Sequence, residues 1–287
     1  MMRLDNIYYN KEIEHLSVYT NFLKIPENMN KVIEILSLEN VKSLSLTSLG
    51  DEELDLKILD YAKNICTLVI DGKVSSLNNL EYKLLNLKTL CLEGGKISFD
   101  LEVTPNLERL VLEKFDSSRI FNMDKLLKLD AISFANSKIH QDILLPKQSL
   151  RKVCFSRCVI EDFNLLNGIQ IVEMEIWQCN KITNFSSIRI IQEHLLSLEI
   201  TNMKTLGKNM TDIIHLQSLK KLIISNCGSL ESLSFIKKMS KLKFLSFVDT
   251  NIVDGDLNPC MTLEYAGTLD KRHYNMKNKD LPKKSIE

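Results

Sequence analysis

Seven cysteines and five histidines are the side chains of this 287-residue sequence best suited to nucleophilic or metal chemistry. A catalytic thiolate needs a nearby base or cation to lower its pKa, and a zinc site needs closely spaced Cys and His ligands. Neither arrangement is written here. No CxxC, HExxH or Cys…His zinc spacing occurs, and the glycines at 94, 95 and 228 make no phosphate loop. The sequence predicts no catalytic residue, no metal ligand and no cofactor, and so a chain that is not an enzyme.

Residues 171–180, IVEMEIWQCN, offer chemistry of another kind. They hold the only tryptophan, with Glu173 and Glu175 on the same short segment. An indole face attracts ammonium and guanidinium groups, and aromatic anchors dominate protein interfaces. Two readings of Trp177 stand open. Its ring is displayed to a partner, or it lies flat over a strand edge as partial packing while the acids are merely solvated. The element that carries it decides between them.

That element repeats. The pattern apolar-x-x-apolar-x-apolar begins at Val41, Ile65, Leu87, Leu107, Leu129, Leu150, Ile171, Leu195, Leu219 and Leu242, and more weakly at Cys260, in steps of 18–24 residues. A further copy begins at Ile13. Strand side chains alternate, so the fourth and sixth residues of each copy share one face and the third, fifth and seventh share the other. A strand of about four residues cannot bury an apolar face alone, so copies must stack in parallel. The residues between them return along the outside. SSIRIIQEHL and MTDIIHLQSL look helical, and the returns holding Pro105 and Pro146 look extended or 3-10.

The pattern resembles the short, about 22-residue type of leucine-rich repeat, over roughly residues 13–265. The fullest copy is LSFIKKMSKLKFLSFVDTNI, in which Leu233, Ile236, Met239, Leu242, Leu245, Phe247, Thr250 and Ile252 match. The resemblance implies an α/β solenoid, a horseshoe with a parallel sheet on its concave face and helical, 3-10 and extended returns on its convex face. It also implies a role for Cys158, Cys179 and Cys227, three residues past the sixth position, where Ser137 and Thr250 also stand. The family puts a small polar residue there to bond turn backbone, so these are read as rungs of a ladder; an oxidisable pair at Cys158 and Cys179 is the alternative. Cys91 and Cys154, at the fifth position, face the concave side without a histidine at equal height. His15 is the one concave-face histidine candidate; His140, His194 and His215 lie in or beside returns, and His273 is in the tail.

Residues 1–40 are expected as an N-terminal cap with a possible first repeat, 41–265 as about eleven solenoid strands, and 266–287 as a C-terminal cap and basic tail. In that tail Tyr265, Leu269 and Tyr274 fold back on the last strand and KNKDLPKKSIE frays. Lysine plus arginine equals aspartate plus glutamate, 37 each, so no global field argues for nucleic acid or membrane. The concave positions are less balanced: Asp71, Glu93, Glu113, Glu173, Glu175, Glu199 and Glu264 oppose Arg109, Lys152 and Lys221. Trp177 at a seventh position, Glu173 and Glu175 beside it, Lys152 and Glu199 on the flanking copies, and Ile223 and Phe244 further along form the candidate partner-binding patch. Val248 adds apolar surface.

The expected function is non-enzymatic binding of another protein with a basic patch, by a chain that is monomeric when free. The ending NIVDGDLNPCMTLEYAGTLDKRHYNMK is similar to that of small intracellular bacterial leucine-rich-repeat proteins, some of which resemble immunity proteins encoded beside toxins. This resemblance implies an immunity or inhibitor protein that neutralises a toxin. The alternatives are a scaffold or adaptor in host–microbe signalling, or a substrate-recognition subunit of a larger complex. The opening MMRLDNIYYNKEIEHL has no basic start followed by an apolar run, no apolar stretch approaches a membrane span, and the odd cysteine count lacks paired spacing. A cytoplasmic protein is predicted.

Overall fold

The computed structural model describes residues 2–284 except 5, 6, 39, 49, 51, 52, 55, 75–83, 95, 96 and 183. It divides into two compact units, Met1–Ser137 with Leu144–Ser149, and Lys138–Ile143 with Leu150–Glu287. In the first unit β1 (Met2–Leu4), β2 (Ile7–Asn10) and β3 (His15–Tyr19) form an antiparallel meander. From β3 onward pairing is parallel, through β4 (Ser43–Thr47), β5 (Thr67–Asp71), β6 (Thr89–Glu93), β7 (Arg109–Glu113) and β8 (Ala131–Ala135). The second unit has β9 (Lys152–Ser156), β10 (Glu173–Trp177), β11 (Ser197–Thr201), β12 (Lys221–Ser225), β13 (Phe244–Ser246) and β14 (Tyr265–Gly267), again parallel. Each unit thus shows the leucine-rich-repeat fold class that the repeat implied.

The reason is the alternation in SLSLT, TLVID or SLEIT. Numbering rows by position in the motif, rows one, four and six are buried in nearly every copy, and rows three, five and seven are half-buried or exposed. Burying each leucine or isoleucine contributes roughly 1.5–3 kcal/mol, available only when the next coil covers it. Row eight turns the chain. Lys114, Asn136, Arg157, Gln178, Asn202, Asn226 and Asp249 all have φ between 50 and 56° there. Their amides continue the ladder across the turn: Arg157 donates to the Trp177 carbonyl at 2.7 Å, Gln178 to Thr201 at 2.9 Å and Asn202 to Ser225 at 2.9 Å.

Row nine closes the turn as rungs. The Cys158 amide donates to Cys179 Sγ at 3.3 Å, and Cys179 Sγ donates to the Phe155 and Trp177 carbonyls. The Cys227 amide donates to Thr250 Oγ1, whose hydroxyl reaches the Ile224 carbonyl. Ser137 Oγ takes the Phe115 amide at 2.8 Å. Met203 occupies this slot between Cys179 and Cys227, so the ladder is interrupted there. The Cys158 contact and burial push the Cys179 thiol up, and burial pushes Cys260 up to about 12. Both are thereby disfavoured as thiolates.

The returns are mostly 3-10 turns, including Phe185–Ile191, where a helix was expected. Two α-helices occur among the described residues. α1 (Pro26–Leu38) starts on a proline suited to a first turn and buries Val32, Ile35 and Leu36 at helical spacing; α2 (Leu206–Ile213) starts ahead of the second expected helical return, residues 210–219, and overlaps only its first four residues.

Two expectations at the C-terminus need correction. The last copy does not start at Cys260. Tyr265 pairs with Phe244 and Ala266 with Leu245, so Leu263 is row one and Tyr265 row three. Glu264 therefore falls at row two, tied to Lys243 at 2.7 Å, and leaves the set of face acids. The expected fraying stretch is held as far as Lys284, and its last three residues lie outside the described residues: Leu281 is buried, the Ala266 amide donates to the Pro282 carbonyl at 3.0 Å, and Lys283 bridges Tyr265 antiparallel. The open edge of β14 is covered by this strap. Tyr274 folds back as expected, whereas Leu269, 50% exposed, does not.

Candidate functional site

All seven candidate residues lie on the solvent face of the second unit. Trp177 ends β10 at row seven and is 42% exposed, while Met174 and Ile176 are buried beneath it. The reason is local: its register partners are the small Ser156 and Thr201. Its backbone is fixed by the Arg157 amide and the Cys179 thiol, both on the Trp177 carbonyl. The ring is thus held on a rigid strand at the rim of a turn.

The acids divide into paired and unpaired. Glu173 and Lys152, in register at row three, form an ion pair at 2.8 Å, so Glu173 is already neutralised. Glu175 and Glu199 lie side by side at row five, with Cys154 and Ile223 on either side. Adjacent like charges destabilise a sheet. Burial first and Glu175 second hold the Glu199 carboxyl above the ordinary carboxylate value, against smaller opposing effects of the Thr201 hydroxyl and Lys221.

A carboxyl raised in the folded state binds its proton more tightly than in the unfolded chain, so stability falls as pH rises through that interval. Glu199→Gln is therefore expected to raise the thermal midpoint at pH 7, with the gain disappearing below about pH 4. Equal midpoints at pH 7 would contradict this mutual repulsion.

Row three holds a group that sequence reasoning missed. The Phe244 and Tyr265 rings stack in parallel, 4.4 Å between centroids and 6° between planes. Lys221 Nζ lies 5.4 Å from the centroid of Phe244, and Lys283 Nζ lies 5.0 Å from that of Tyr265. Gly267 makes room: a Cβ there would stand 2.9 Å from Tyr265 Oη. Only the corrected spacing, 21 residues from Leu242 to Leu263, aligns the two rings. Ile223 and Val248 are half-buried, and so supply little apolar area alone.

The first unit carries a separate acid column, with Asp71 beside Glu93 in register; burial, then Asp71 and Glu113, raise the Glu93 carboxyl. Cys91 is pushed up by burial and Glu93, opposite to what a nucleophile needs. His15 contacts Ser43 Oγ and Ser17 Oγ, each at 2.8 Å, and burial lowers its pKa. Among the described residues no group of three His, Cys, Asp or Glu could hold a metal ion, and no helix is long and apolar enough to cross a membrane.

No family model and no curated protein matches the sequence. Among solved structures, an internalin (InlF) from Listeria monocytogenes is similar, at 14% identity over 90% of this chain and 86% of that one, with a TM-score of 0.46. The leucine-rich-repeat architecture rests on the register and burial of the two units themselves.

Proposed function

We propose that the solvent face of the second unit binds a partner protein through a basic patch, with Trp177 as anchor and Glu175 and Glu199 as counter-charges. One observation carries this reading: the only indole of the chain is exposed on a rigid strand, on the same face as two adjacent carboxylates that repel each other. A partner's arginine or lysine would relieve that repulsion and lie against the ring. Electrostatic steering would raise the rate of encounter, and the ring would hold the docked complex. The natural role of such a surface is that of an immunity or inhibitor protein, a free monomer in a reducing cytoplasm that occludes a basic surface, for instance of a toxin. Its seven free thiols, odd in number, suit that compartment.

The lone tryptophan makes the test direct. A blocked Gly-Arg-Gly-Arg-Gly peptide, titrated at low salt, is expected to give a saturable change in Trp177 fluorescence. Glu175→Lys should weaken it by about tenfold or more, since it replaces an attraction with a repulsion. An unchanged affinity in that variant would remove the basis of the proposal. For the inhibitor role, the product of an adjacent gene should bind the wild-type protein and not Trp177→Ala/Glu175→Lys. A kinase, phosphatase or ligase domain encoded there, bound without that patch, would favour an adaptor.

A further inference from the structure

Resting on the reading that this face docks a protein, the row-three stack says more about the partner. The order along the row is Lys221, Phe244, Tyr265, Lys283, one residue from each of β12, β13, β14 and the covering strap. Each outer ring face is occupied by an ammonium, so the rings can offer a partner only their edges. Ring edges carry the positive end of the aromatic quadrupole. The two ammonium groups add to that. Lys221 makes no ion pair among the described residues, although it acts on the Glu199 carboxylate of the adjoining strand, and Lys283 is held by oxygens of Ala266 at 2.6 Å and Asn278 at 2.8 Å, neither of them a carboxylate. Burial lowers the Lys283 pKa.

The face is therefore polarised. Glu175 and Glu199 stand on β10 and β11, and the cation-flanked rings are centred on β13 and β14. Three strand steps of about 4.8 Å separate the centres of the two ends, roughly 14 Å. We propose that the surface takes a dipolar partner segment, which sets a basic side chain at Glu175, Glu199 and Trp177 and an acidic side chain at the edge of the Lys221–Phe244–Tyr265–Lys283 stack. An extended chain advances about 3.3 Å per residue, so the two charges would lie about four residues apart. The arrangement selects orientation as well as charge: a segment docked in reverse would set like charges together at both ends.

The experiment uses the full chain with Trp177 fluorescence as readout and blocked peptides as probes. Arg-Ala-Ala-Ala-Asp is expected to bind at least about fivefold more tightly than Arg-Ala-Ala-Ala-Asn, with no such gain when Asp directly follows Arg. Lys221→Met, which keeps the aliphatic stem on an exposed strand position, should abolish the gain, read as the ratio of the Asp and Asn probes' affinities for the same variant. Lys221→Arg should restore it. If the Asp and Asn probes bind equally to the wild type, or the gain survives Lys221→Met, the dipolar inference is overturned while the basic-patch reading stands. If neither probe alters Trp177 fluorescence, both fall.

Discussion

Phe163→Ala is expected to destabilise the second unit by about 3–5 kcal/mol. The side chain is fully buried in a return, between the rings of Phe155 at 6.1 Å and Phe185 at 5.9 Å, the latter edge-on. Phe155 belongs to the same coil and Phe185 to the next, so the deletion leaves a cavity where two coils meet. The surroundings cannot readily collapse into it, because the Phe163 amide is held by Ser187 Oγ at 2.8 Å and the adjacent Asp162 takes the Asn164 amide at 2.8 Å. Transfer and cavity costs then add. Urea unfolding followed by Trp177 fluorescence reads the same unit, and Phe163→Leu should recover most of the loss. A shift below about 1 kcal/mol for Phe163→Ala would mean that the ring is not the interlock between coils.

Tyr274→Ala is the second large effect, about 3–4 kcal/mol, by loss of a buried ring together with its hydroxyl bonds. Tyr274 is only 9% exposed, and its hydroxyl accepts the Ile252 amide at 3.2 Å and donates to the Thr250 carbonyl at 3.3 Å. Thr250 is also the rung that receives the Cys227 amide, so the tail is fastened to the end of the ladder. Tyr274→Phe isolates the hydroxyl: it leaves the buried Ile252 amide without its acceptor, at a cost of about 1–3 kcal/mol. Both variants should also speed limited proteolysis after Thr268. A tail that merely frays would make both substitutions neutral and leave cleavage rates unchanged.

The strands were legible because rows four and six are large and apolar in copy after copy, and one residue of slip would turn every side chain to the wrong face. That periodicity placed Met174 and Ile176 inside and Trp177 outside without coordinates. It failed where the core becomes small. In the last coil the row-four residue is Ala266, so the apolar Leu263 and Tyr265 of CMTLEY imitated a motif three residues too early. The Phe244–Tyr265 stack was lost with that slip, since a cross-strand contact exists only once register is right. Neither the antiparallel start, Met2–Leu4 against Ile7–Asn10, nor the Leu281 strap has a repeat to announce it. The acids misled differently. Counting them by row suggested a broadly negative face, but Glu173 and Glu264 are paired with Lys152 and Lys243, which leaves Glu175 and Glu199 as the adjacent acids of this face without an ion pair among the described residues.

Charged quenchers read the potential at the lone indole directly. At low ionic strength, where screening is weak, and with each ion's quenching scaled to its quenching of a free tryptophan amide, caesium should quench Trp177 more strongly than iodide, and Glu175→Lys should reverse that preference. Iodide quenching the wild type as well as caesium does, or neither ion reaching the ring, would contradict an exposed tryptophan set among unpaired carboxylates.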